Sequence, residues 1–274
     1  MKRGPNLLAE VALAVISLLL LAPVVLIMLT AFKSDAEIIR FESPWPLEPT
    51  VENFTYLRDN AEEAPVVRWL ANSFFVASAA TVLVLIVDSL AAYTLVRLKP
   101  PGSRVMFALI IATMMVPGQV LLVPMYLLLS SLGWLDTFWA LIVPHGAAAF
   151  GVFLLCQFFK GVPRELEEAA EIDGCGKMRI YWHVMLPLSK PILATLAIFT
   201  FIGVWNDFLG PLIFVDSIDL YTLPVGIALF QSSYTNDYGL TMAASLICTL
   251  PVLILFLAFN KLIIRGIASG ALKG

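Results

Sequence analysis

Residues 167–191 read EEAAEIDGCGKMRIYWHVMLPLSKP and hold four acids and, with His183, four bases. The stretch is dense in side chains that can do chemistry. A phosphate-binding loop would need G-x-x-x-x-G-K-[ST], because its backbone donors and lysine hold the phosphates. The nearest approach, Gly174-Cys175-Gly176-Lys177-Met178, has its first glycine at the wrong spacing and methionine in place of the hydroxyl. Catalytic constellations are missing too. His145 and His183 are the only histidines. His145 lies between Pro144 and Gly146 and reads as a structural histidine at a bend. Cys156, Cys175 and Cys248 have no ligand-like spacing. Two of them sit in apolar runs, where cysteine packs as a small hydrophobe.

Four further polar side chains, Asp88, Gln119, Asn206 and Asp207, are set into apolar runs. A carboxylate in hydrocarbon is costly, so Asp88 and Asp207 must face protein or water. Each has two readings. One is contact with a solute or a gate; the other is a helix–helix hydrogen bond or a cap at a helix break. Trp205-Asn206-Asp207 is followed by Gly210-Pro211, the pattern of a helix that breaks to line a cavity. Gln119 follows Pro117-Gly118 in the same manner.

The elements that position these residues are membrane spans. The chain has 274 residues, 60% hydrophobic and only 14% charged, with a mean hydropathy of +0.90. A soluble domain carries about 25% charged residues. A span needs about 20 mostly apolar residues. Runs at 11–32, 69–96, 105–129, 138–159, 192–215 and 238–260 qualify. They predict an all-α membrane protein with six transmembrane helices. The first run is too long for a signal-peptide core and no small-x-small site follows it, so it reads as an uncleaved anchor. The reading divides the chain into an anchor helix with a first external loop, 1–68, and a core, 69–274, that carries the charged loop 160–190. A net charge of −3 argues against nucleic acid as a partner.

Orientation follows from the bases. The N-terminus, the loops 97–104 and 160–190, and the tail from Lys261 hold 13 of the 17 Lys and Arg. The opposite side holds Lys33, Arg40, Arg58 and Arg68. Both termini and the charged loop are therefore expected in the cytoplasm. No Lys or Arg lies inside a span. A phosphate or carboxylate solute would need one, or a helix N-terminus, so a neutral sugar or polyol fits better. Asn53-Phe54-Thr55 in the first external loop matches the short, common glycosylation pattern.

The charged loop reads as two helices. Pro163 sits where a first turn tolerates proline. Glu165, Glu167 and Glu168 follow at the positive end of the helix dipole. Leu166, Ala169, Ala170 and Ile172 add helix formers and a narrow apolar strip. Asp173-Gly174 stops the helix, glycine being the usual residue for a left-handed step. A second helix starts at about Gly176 or Lys177. Met178, Tyr181, Trp182 and Met185, at i, i+3, i+4 and i+7, share one face. Pro187 ends it, and Pro191 opens the next span. Such an element either packs on its own membrane domain or docks a soluble partner.

Glu168-Ala169-Ala170, then Gly174, then nine residues, then Val184-x-Leu186-Pro187 resembles the EAA loop of ABC importer permeases. That pattern runs E-A-A, three residues, G, nine residues, I-x-L-P, with Asp173 fitting as well. Valine for isoleucine is the one departure. WNDFLGPLIF at 205–214, YTLPVGIALF at 221–230 and RGIASGALKG at 265–274 are similar to permeases of carbohydrate importers, more narrowly to the second permease of the maltose-type group. The resemblance covers most of the chain from the second span on. It implies a type I importer fold in a bacterial cytoplasmic (inner) membrane. It implies a heterodimer with a second permease subunit, two cytoplasmic ATPase subunits that hold ATP and Mg, and an extracytoplasmic solute-binding protein. No cofactor would be bound by this chain, which would be no enzyme. Carried over, Glu168, Ala169 and Ala170 would line the ATPase seat, Gly174 would turn the coupling helix, and the tail at 270–274 would reach toward the ATPases.

The leading expectation is thus the permease subunit of an ATP-driven, binding-protein-dependent importer of a sugar (an oligosaccharide or related polyol). One alternative is the same importer type carrying a sugar phosphate such as glycerol phosphate. Another is a stand-alone, proton-coupled secondary transporter with Asp88 or Asp207 as relay, which leaves the charged loop unexplained. A membrane enzyme finds no support in two histidines and no paired intramembrane carboxylates.

Overall fold

A segment in hydrocarbon has no water to pair its N–H and C=O groups, so each apolar run closes its own backbone bonds as helix. The computed structural model of the chain describes residues 7–40, 42–60, 64–232 and 237–271. No strand occurs among the described residues. α1 (Leu7–Ala31) leads to two short helices, α2 (Asp35–Arg40) and α3 (Glu52–Asp59). α4 (Val66–Tyr93) runs on into a π-helical turn, Thr94–Leu98. α5 (Ser103–Thr113) and α6 (Leu122–Ser131) flank a 3-10 turn, Gly118–Leu121. α7 (Phe138–Ile142), a 3-10 turn at Val143–Ala147 and α8 (Ala149–Lys160) form one stretch. The charged loop contains α9 (Glu165–Ile172), α10 (Lys177–Ile180), a π turn at Tyr181–Met185 and α11 (Leu186–Leu188). α12 (Lys190–Trp205), α13 (Leu209–Phe214), α14 (Leu223–Ser232) and α15 (Tyr238–Ala271) follow.

The six apolar runs fold in three ways. Glu10–Ala31, Val66–Leu98 and Phe138–Lys160 are helical stretches long and apolar enough to cross a membrane. The run at 105–129 is not one straight span. Ser103–Thr113 and Gly118–Ser131 meet at 96°. Pro117 has no N–H to continue the ladder and disfavours helix at the residue before it. Lys177–Leu188 and Lys190–Trp205 meet at 76°, and the fifth run breaks again between Trp205 and Leu209. In the last run the apolar section described is Tyr238–Ile254. The helix nonetheless continues to Ala271, where the sequence suggested a tail from Lys261. Of the expected tail toward the ATPases, residues 272–274 lie outside the described residues, as do residues 1–6.

The described residues fall into two compact units. One joins the chain up to Leu70 with Leu223–Leu253; the other takes Ala71–Thr222 with Ile254 onward. In the first, Asn53 donates to the Ala31 and Lys33 carbonyls, both at 2.9 Å. This buried side chain fastens α3 to the end of α1, so the glycosylation match is a structural amide. Trp69 is fully buried against α14, where a Cβ on Gly226 would overlap its ring. The stretch YTLPVGIALF is therefore packed chain: Leu223 and Val225 are buried.

In the second unit Asp136 takes a left-handed conformation (φ 57°) between α6 and α7. Its carboxylate accepts from the amides of Asp216 (3.1 Å) and Ser217 (2.9 Å) and from the Ser217 hydroxyl (2.5 Å). Its own amide donates to the Phe214 carbonyl at 2.8 Å. This latch ties the turn after α6 to the end of α13. The Ser217 hydroxyl and amide hold the Asp136 carboxyl below its ordinary value. The bonds favour the charged form, so the latch is complete above the ordinary carboxylate value of about 4 and is lost as pH falls through the depressed one. Hydrogen exchange at the Asp216 and Ser217 amides, corrected for intrinsic rates, is expected to be slow at about pH 6 and faster below about pH 4. Asp136→Ala should remove the protection at both; unchanged protection in that variant would dismiss the latch.

Candidate functional site

α9 stops as its composition predicts. Gly174 has φ 80°, its amide bonds to the Glu171 carbonyl at 3.0 Å, and the Cys175 amide reaches back to the Ala170 carbonyl at 2.9 Å. This pair of bonds around a left-handed glycine is a Schellman turn. Lys177 pairs with Glu171 across it. The chain then re-enters helix at Lys177, where the sequence placed the second helix.

The inner side of this element is rooted in the membrane unit. Ile180, Tyr181 and Met185 are buried in a cluster with Tyr93, Leu155 and Phe159. The Tyr181 and Ser89 hydroxyls share a hydrogen bond at 2.7 Å, and the Tyr93 hydroxyl donates to the Lys177 carbonyl at 2.9 Å. Arg97, just beyond α4, donates to the carbonyls of Phe159 (2.5 Å) and Val162 (2.6 Å). Its Nε lies 3.0 Å from Glu167 Oε1, with side chains 5% and 11% exposed. That last contact is a meeting of charges without hydrogen-bond alignment. Glu167 is the residue that sequence reading missed. It sits among three acids of one turn, and only its spacing of three from half-buried Ala170 sets it on the inner side.

The outer side carries the residues singled out from the sequence. Glu168, Ala169 and Asp173 are exposed. Leu166, Ala169, Ala170, Asp173, Val184 and Pro187 line a groove beside α9. Leu186 is half-buried at the edge of the cluster. Ile172 is a large apolar side chain that is 87% exposed. The expected bulky face is corrected: Met178 and Trp182 are exposed while Tyr181 and Met185 are buried. The π turn at Tyr181–Met185 widens the helix and breaks the i, i+3, i+4 register that the sequence implied. Pro187 does not end the helix either. It lies inside α11, which the π turn feeds, and the bend falls at Ser189.

A second feature lies where three helix breaks meet. A cavity of about 390 Å³ is bounded by the turns at Gly118–Leu121 and Val143–Ala147 and by the break after α12. Gln119, His145 and Asp207 line it, with no Lys or Arg among the lining residues. Asp207 accepts from the Gly210 amide at 3.4 Å. A Cβ on Gly210 would stand 2.6 Å from the carboxylate, so the approach needs glycine. Two sequence candidates are elsewhere. The Asn206 amide turns back to the Ile202 carbonyl at 2.9 Å, capping its own helix. Asp88 is 1% exposed, faces Gly151 and Leu196, and neither oxygen has a partner among the described residues. His145, read as structural, is a lining residue.

Residues 88–269 match the family described as binding-protein-dependent transport system inner membrane component. The arabinooligosaccharides transport system permease protein AraQ of Halalkalibacterium halodurans is 33% identical over 270 residues, 97% of this chain and 96% of that protein. The sulfoquinovosyl glycerol transport system permease protein SmoH of Agrobacterium fabrum is 35% identical over 257 residues, 93% and 89% of the two chains. In fold the chain is similar to a solved chain of a bacterial ABC transporter involved in the import of the acidic polysaccharide alginate. The TM-score is 0.81 at 23% identity, over 93% of this chain and 95% of that one.

Removing one member of the buried Arg97–Glu167 pair strands the other's charge, a loss of about 3 to 5 kcal/mol. Glu167→Leu is expected to lower the thermal midpoint of the purified protein. Arg97→Met should lower it further, since the Phe159 and Val162 carbonyls lose their donors too, and the double variant should fall no lower than Arg97→Met. Equal midpoints for Glu167→Leu and the parent chain would remove the ion pair from the anchor.

Proposed function

The chain belongs to the family of binding-protein-dependent transport system inner membrane components, a helical membrane component of sugar importers and not an enzyme, and from that membership we propose how it works and what it carries. It is one of two permease subunits, paired with a sister permease. Two ATPases on the cytoplasmic side, holding ATP and Mg, drive alternating access, and an extracytoplasmic binding protein delivers the solute. Both termini and the element 160–190 face the cytoplasm of the bacterial inner membrane. The observation that carries this reading is the two-sided build of that element. Its outer side offers Glu168, Ala169, exposed Ile172 and a groove; its inner side is bonded to α4 and α8 through Arg97, Tyr93 and Ser89. A push on the outer side is thereby passed to α4 and to α8, and α8 follows directly on the turn at Val143–Ala147 that borders the cavity.

The solute is a neutral sugar, an oligosaccharide or related polyol. Gln119, His145 and Asp207 offer donors and acceptors suited to hydroxyl groups, and the Asp207 carboxylate would repel an anionic sugar. Relatives named for arabinooligosaccharides and sulfoquinovosyl glycerol support a carbohydrate. A proton relay at Asp88 has less to recommend it, since Asp88 does not line this cavity.

Gly174→Pro forces φ from +80° toward about −65°, and Glu168→Arg reverses a charge on the seat. Each should uncouple transport without removing the protein from the membrane. Substrate-stimulated ATP hydrolysis by the assembled complex reads the effect; unchanged stimulation in both variants would refute the coupling role. For the path, Asp207→Ala and Gln119→Ala are expected to raise KM for sugar uptake into vesicles by about tenfold, the loss of a hydrogen bond or two. An unaltered KM and kcat in both would place the solute elsewhere.

A further inference from the structure

We infer that the recess where α8 ends and α5 begins, beside the π turn that follows α4, binds the phosphodiester of a phospholipid headgroup. The inference rests on the proposed orientation, which sets this recess at the cytoplasmic leaflet. The recess has a volume of about 390 Å³ and gathers Arg97, Lys99, Arg104, Lys160 and Arg164 on its walls, with no aspartate or glutamate. Arg97 is met by Glu167. Among the described residues, none of the other four has an ion-pair partner. Four unneutralised cations around one small volume repel one another unless an anion sits among them.

The backbone contributes to the same end. Lys99 (φ 48°) and Gly102 (φ 83°) turn the chain sharply. α5 then begins at Ser103 beside the recess, and no side chain caps its first amides. An 11-residue helix presents the positive end of its dipole here. The floor is apolar: Leu95 and Val96 are buried, and Lys160 Nζ lies 4.8 Å from the centre of the Phe107 ring.

A lipid fits this site better than a free phosphate. Next to the recess α5 exposes Val105, Met106 and Leu109, an apolar surface on which acyl chains can lie while the phosphate enters. Basic pockets between spans on the cytoplasmic side are of the kind that takes anionic headgroups. The groove beside α9 shares no lining residue with this recess, so a partner seated in that groove and a lipid seated here use separate surfaces.

The assembled transporter, in nanodiscs of phosphatidylcholine with about 20% phosphatidylglycerol, tests this when native mass spectrometry counts retained phosphatidylglycerol. The parent complex is expected to retain it. Arg104→Gln with Lys160→Gln should weaken retention on the order of tenfold, and Arg104→Lys with Lys160→Arg should restore it, which separates lost charge from lost folding. Inorganic phosphate in excess should leave retention intact. Equal retention by the double glutamine variant would overturn the site. Displacement by inorganic phosphate would overturn the lipid as its occupant. Nanodiscs open both leaflets, so neither outcome depends on orientation. Labelling of Arg104→Cys in intact cells by a membrane-impermeant thiol reagent, against the parent chain, reads orientation alone; labelling from outside would overturn the cytoplasmic leaflet and leave retention standing.

Discussion

A guanidinium cannot shed its charge, so an arginine drawn into the protein must be given acceptors. Arg97 is given two acceptors and a counter-charge by two stretches of chain. The Phe159 and Val162 carbonyls lie at and just past the end of α8, and the Glu167 carboxylate lies on α9. None of these can shift alone without exposing a buried charge. The insert is therefore an extension of the membrane unit. Tyr93 and Ser89, one and two turns earlier on α4, repeat the connection with neutral hydrogen bonds. Because the three anchors lie along one face of one helix, force applied to the insert arrives as motion of that helix.

Irregular backbone gathers around the cavity. The bend near Pro117, the 3-10 turn at Val143–Ala147 and the break after Trp205 all border it. Such backbone is tolerated at membrane depth only where protein or water receives its polar groups. The breaks and the polar lining thus have one cause. The rest of α12 stays regular, and Trp205 is buried with its ring stacked on Phe201 at 5.7 Å.

Much of this was legible in the sequence. The apolar runs located the helices, because hydrocarbon leaves the backbone no other arrangement. Gly174 announced the turn, since few residues accept a left-handed step. Asp207 with Gly210-Pro211 announced a break. What stayed hidden depends on partners far along the chain. Glu167 and Arg97 are 70 residues apart, and no local rule distinguishes Glu167 from its neighbours Glu165 and Glu168. The π turn at Tyr181–Met185 was invisible because its sequence is a good ordinary helix; burial of Tyr181 and Met185 against α4 selects the wider turn, and Met178 and Trp182 are left outside. The cavity wall at His145 was not legible either, because a histidine beside a proline looks the same at a packed bend and at a cavity wall.

Asp88 and Gly151 leave a trace that reaches beyond one molecule. A Cβ at 151 would overlap the Asp88 carboxylate and approach Leu196 to 2.9 Å, so the two positions divide one small volume. Among descendants of this sequence the order of change is constrained. Position 88 can shrink to serine or alanine first, and only then can 151 grow; the reverse order passes through an overfilled helix contact. Lineages that keep an acid at 88 should hold glycine at 151, and those with a small residue at 88 can lose it once Leu196 also gives way. The pair fixes an order of steps in sequence space, set by the width of a methyl group.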